Sequence, residues 1–165
     1  MNSEEAAQTA LCPRRAARRH RGFTLIELVV ALGVVAVLAT LALNAWSGWR
    51  ARVDVKRAVD DITAISTVVD QYFQDTQAYP ASLDAIGRGG LRDPWGNAYQ
   101  YLNLAATPGN GQARKDHSLV PLNSDYDLYS AGKDGRSAPP LTSSLSRDDI
   151  VRANNGRFVG PASTY

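Results

Sequence analysis

Gly22, Phe23 and Glu27 are the residues of this 165-residue chain whose types and spacing could do chemistry together. Glu27 is the only charged side chain in the 21 residues from Phe23 to Leu43. A carboxylate at bilayer depth costs roughly 2.5–3.5 kcal/mol on insertion scales, so such acids are usually paired and functional. Nothing basic shares the apolar segment with it. Hydrolysis of the Gly22–Phe23 bond would supply a cation, because the new Phe23 amine lies four residues before Glu27, one helical turn away. A helix start itself favours an acid in its first turn. The same amine could neutralise Glu27 of a neighbouring copy. A second candidate set is Asp134 with Asp148 and Asp149, three loop carboxylates of the kind calcium collects among six to eight oxygens. Their spacing alone favours an ordinary "KDG" turn and a solvated "RDD" charge cluster or helix start. His117 is the only histidine beyond His20, and it lies in the polar loop "GNGQARKDHSLVP", where a solvated surface histidine is expected. Cys12 is the only cysteine, which removes CxxC metal or redox chemistry. "SAGKDG" lacks the phosphate-loop spacing, and an acid follows Lys133.

The elements that must position these residues follow from charge and periodicity. Residues 1–22 carry five arginines against Glu4 and Glu5, while the remainder has 13 basic and 14 acidic side chains. The folded part therefore lacks the basic stripe that a nucleic-acid partner would require. An apolar run of 21 residues suits a membrane-spanning helix, and the arginines before it place the N-terminus in the cytoplasm. A secretory signal peptide would have a shorter apolar core and a small-residue cleavage site, and "LNA" at 43–45 is a poor one. Trp46 and Trp49 fall where an interfacial aromatic belt belongs. Val55, Val59, Ile62, Ile65, Val69 and Tyr72 then recur at steps of three and four, which predicts an amphipathic helix with one buried stripe. "DTQAYP" ends it. Ser82 opens a helical turn that "RGG" breaks. "DPWGNAYQYLNL" and "DYDLYSAGKDG" read as turn-bounded strands, separated by a long, mobile Gly- and Pro-containing loop over 107–124. The expected fold is α+β: a leader over 1–22, a long helix over 23–76 whose first part, 23–43, spans a membrane, and a C-terminal domain over 77–165 built on a small antiparallel β-sheet.

"RGFTLIELVVALGVVAVLA" resembles the leader and N-terminal helix of type IV pilins and type II secretion pseudopilins. The resemblance implies a pilin-like fold, cleavage between Gly22 and Phe23 by a prepilin peptidase, N-methylation of Phe23, and a role for Glu27 in the register of subunits in a helical filament. "DPWGNAYQYL", "DYDLYSAGKDG" and "DDI" are similar to the C-terminal region of the major, G-type pseudopilin. That similarity implies bound calcium, with carboxylates from Asp134 and Asp149, a third from Asp148, and backbone carbonyls of Ala131 or Leu128 and of Val151. The chain departs from the pattern at Asn44, where many relatives have proline. It departs again in the longer link 135–147 and in the tail "VRANNGRFVGPASTY".

The leading expectation is thus a structural subunit of the pseudopilus of a type II secretion system. Its implied partners are further copies of itself, a prepilin peptidase, other pseudopilins, an inner-membrane assembly platform and the membrane. It would cross the inner membrane once, with the C-terminal domain in the periplasm. The first alternative is a type IV or minor pilin for adhesion, motility or DNA uptake; adhesive pilins commonly carry a C-terminal cysteine pair that the mature chain would lack. The second is a membrane-anchored periplasmic enzyme or binding module, for which one histidine and no glutamate after Glu27 offer little material.

Overall fold

The computed structural model describes residues 22–109, 111–117 and 119–165, without the side chain of Asn44. The expected leader, apart from Gly22, lies outside the described residues. A single long helix, α1, spans Leu25–Thr76. Contacts divide the chain into two units, one ending at Leu43 and one running from Asn44 to Tyr165.

In the first unit the side chains from Phe23 to Leu43 are exposed. Part of α1 reaches a mean hydropathy of 2.6 over 18 residues, long and apolar enough to cross a membrane, and none of that stretch is buried within the protein.

In the second unit α1 turns amphipathic, and Ala58, Ile62, Ile65 and Val69 are buried at spacings of three and four. The helix stops after Thr76 because Gln77 adopts a left-handed conformation (φ 58°) and Pro80 follows. A 3-10 turn at Leu83–Ile86 ends on left-handed Gly87. Four strands follow: β1 Gln100–Asn103, β2 Tyr126–Ser130, β3 Ile150–Ala153 and β4 Phe158–Pro161. They form one antiparallel sheet in sequence order. Tyr101 stands opposite Leu128, Tyr129 opposite Val151, and Val151 opposite Gly160.

The sheet is buried on both faces. Tyr126, Leu128 and Ile150 join Ile62, Ile65 and Val69 in the core against α1. Val151 and Ala153 join Leu122, Leu141 and Ala162 in a second cluster on the other face. Two expectations change as a result. The tail beyond Val151 is no appendage: β3 and β4 form a hairpin through left-handed Asn154, Asn155 and Gly156. The long loop is pinned where Ala113, Arg114, Leu122 and Asn123 are buried. Both segments, with Leu141 of the long link, cover the face that a helix-and-sheet pair alone would leave wet.

Candidate functional site

The N-terminal site begins where helix formation stops. Gly22, Phe23 and Thr24 precede the helix, and Gly22, Phe23, Thr24 and Glu27 line one open pocket. The Thr24 backbone N–H and hydroxyl each donate to Glu27 Oε2 (3.0 Å), and the Glu27 N–H donates to Thr24 Oγ1 (3.3 Å). This is a reciprocal capping box, which satisfies donors that a helix start otherwise leaves open. Glu27 therefore has a neutral partner before any cleavage, whereas the sequence argument sought only a charged one. The signal lay in the T-x-x-E spacing. The cap also leaves the Gly22–Phe23 bond outside the helix, and a Cβ at Gly22 would meet nothing within 4 Å.

The aspartates divide. Asp134 and Asp148 meet at the turn after β2, where the Asp134 N–H donates to Asp148 Oδ2 (3.1 Å) and Asp134 Oδ1 accepts from the Arg136 N–H (2.8 Å). Gly132 is left-handed (φ +64°), and a Cβ there would collide with the carbonyl of Asp148. The turn is braced from the side. Asn97 Nδ2 donates to the Gly132 carbonyl (2.8 Å), and Asp93 accepts from the Ser130 hydroxyl, which in turn accepts from the Gly132 N–H (3.1 Å). Asp93 Oδ1 also caps the Trp95 and Asn97 amides, so "DPWGN" folds on itself and supports "AGKDG". Ala131 follows β2 directly, whereas Leu128 and Val151 sit within the sheet ladder.

Asp149 faces elsewhere. It is fully buried, and its Oδ2 accepts from Arg114 Nη2 (2.6 Å) and from the Ser137 hydroxyl. Its Oδ1 has no hydrogen-bond partner among the described residues. Burial pushes this carboxyl above its ordinary pKa, with Ser137 and Arg114 pulling the other way. Arg114 also donates to the Ala138 carbonyl (2.8 Å) and lies 4.3 Å from the Tyr129 ring centre, and its backbone N–H donates to buried Asp127 (2.6 Å). One guanidinium thus ties the long loop, the long link and the entry to β3 together, and nothing local in the sequence announces it. A similar pair, Arg152 with Asp125 (2.6 Å), covers the Tyr126 ring at 3.9 Å.

Among the described residues no three Asp, Glu, His or Cys side chains gather as one metal cluster. Asp134 and Asp148 nonetheless suit a hard cation that also takes carbonyl oxygen and water. Neither has an ion pair among the described residues, and the missing Cβ of Gly132 opens the backbone beside them. His117 is exposed, as expected, with Nδ1 2.9 Å from Asp116 Oδ1.

Residues 17–43 match the family model described as the prokaryotic N-terminal methylation motif. The chain is 31% identical over 142 residues to the type II secretion system core protein G of Escherichia coli (strain K12), covering 73% of this chain and 87% of that one. It is 32% identical over 139 residues to the core protein G of Aeromonas hydrophila, covering 72% and 86%. It is 31% identical over 140 residues to that of Klebsiella pneumoniae, covering 81% and 94%. No solved structure matches the chain. By its capped apolar helix, its sheet and these relatives, the chain belongs to the type II secretion system core protein G family.

Proposed function

We propose that this chain is the repeating structural subunit of the pseudopilus of a type II secretion system. The observation that carries the reading is the apolar helix that opens on the Thr24–Glu27 cap, immediately after a Gly22–Phe23 bond that lies outside the helix and within the methylation motif. A prepilin peptidase cuts that bond at the cytoplasmic face and Phe23 is methylated. The helix anchors the subunit in the inner membrane with residues 77–165 in the periplasm. The subunit then enters a helical filament of its own copies, joined by other pseudopilins on an inner-membrane assembly platform. Its role is structural rather than catalytic.

Calcium belongs to this reading. Asp134 and Asp148, with the Ala131 carbonyl, would hold the ion, which would supply positive charge at the turn after β2. Asp149 acts from inside, through Arg114, and anchors the same loop without the ion.

Deleting the chain from its host should stop export of the secreted proteins, and the wild-type chain supplied in trans should restore it. Full export without the chain would exclude the proposal.

A further inference from the structure

Among the described residues of the second unit, two exposed apolar surfaces lie without partners. Trp46, Trp49 and Val53 form one: they are 60%, 58% and 42% exposed, with the two indole rings 5.6 Å apart. The other is a groove of about 290 Å³ lined by Ala51, Val55, Trp95, Ile150 and Pro161, with Asp148 on its wall. At about 100° per residue, Trp46, Trp49 and Val53 share one face of α1, while Ala51 and Val55 lie about half a turn round it. One chain therefore cannot seat its own stripe in its own groove.

We infer that the Trp46–Trp49–Val53 stripe of one copy docks in the Val55–Trp95–Pro161 groove of the next. This rests on the pseudopilus reading and adds the surfaces that build the polymer. A contact between two different patches of the same chain is heterologous, and repeating it generates an open helix rather than a closed dimer. Two tryptophans bury roughly 150–250 Å² each, well short of the roughly 1,200–2,000 Å² of a stable independent pair. The contact thus holds only alongside others, for which the exposed apolar residues before Asn44 offer material. The groove shares Asp148 with the proposed ion site, so ordering that turn also orders one wall of the dock.

The test places Trp49→Cys and Ser163→Cys, at the stripe and the groove edge, in one full-length Cys12→Ser chain, and oxidises assembled filaments. A ladder of dimers, trimers and higher multimers is expected, against dimers at most for either single cysteine. Trp46→Ala with Trp49→Ala should lower filament yield by at least ~tenfold, as for buried aromatic anchors. If the double-cysteine chain assembles poorly alone, the same cross-link is read as a dimer after co-expression with an equal dose of wild type. Filaments of the double-cysteine chain that form without the ladder overturn the contact, and quenching of Trp46 and Trp49 in the wild-type chain by brominated lipid then assigns the stripe to the membrane surface. Absence of filaments from the wild-type chain would instead count against the pseudopilus reading.

Discussion

Glu27 is held by its own Thr24 in the single chain, and on the proposed pseudopilus reading the Phe23 amine of a neighbour would be its second partner after cleavage. The cap satisfies the carboxylate in the monomer, and the proposed amine would offer it a charge in the polymer. Glutamine at position 27 keeps the capping geometry and loses the charge, while valine loses both. Both variants should insert in the membrane and neither should form filaments. Normal filaments from Glu27→Gln would make the cap, and no charge pair, the residue's purpose. Arg114 is the second residue on which much depends. Arg114→Met leaves Asp149 buried beside only Ser137, and removing one partner of a buried pair costs about 3–5 kcal/mol. Urea unfolding of the full chain in detergent should show that loss, with part of it recovered in Arg114→Met/Asp149→Asn. The cap was legible in four consecutive residues. Arg114 was not, because its partners stand 23, 24 and 35 positions away and no local pattern encodes such a meeting.

The turn after β2 is the element on which the ion proposal rests. A ligand that binds only the folded state stabilises it by about 2.7 kcal/mol at a hundredfold excess over its Kd. The full chain in detergent should therefore melt higher in calcium than in chelator. Asp134→Asn and Asp148→Asn should each abolish the difference, while Asp149→Asn should lower Tm equally with and without calcium. An unchanged wild-type Tm would remove the ion from the account. The helical stripe, β1 and β2 were readable because their apolar periods match their geometry. β3 and β4 were hidden: the four residues Ile150–Ala153 are all buried, so no alternation marks them, and Asn154–Asn155–Gly156 reads as a polar tail until its left-handed turn is seen. The three aspartates look alike in sequence, yet adjacent residues at the entry to β3 turn opposite ways, which sends Asp148 to the turn and Asp149 to Arg114.

At the scale of the molecule, tyrosine hydroxyls join α1 to the body. Tyr99 donates to Asp61 (2.9 Å) and Tyr126 to Asp70 (3.1 Å), and Tyr101 donates to the Pro80 carbonyl just beyond the helix (2.9 Å). Burial, as the largest cause, pushes all three phenols well above their ordinary value. Their unfolded counterparts ionise near pH ~10, so the native state holds more protons above that point. Stability should be unaffected by these groups below pH ~10 and then fall by about 1.4 kcal/mol per pH unit for each phenol that stays protonated. Denaturant midpoints from pH 8 to 11 would show this, and Tyr99→Phe should flatten the fall. The account's central claim is that the chain is cut, methylated and polymerised, and the most direct measurement is the intact mass of protein recovered from filaments released by opening the envelope of cells that express it. The predicted result is a filament whose chain lacks residues 1–22 and carries one added methyl group on Phe23. A chain that accumulates in the membrane starting at Met1 or near Trp46, with no filament containing it, would contradict the account.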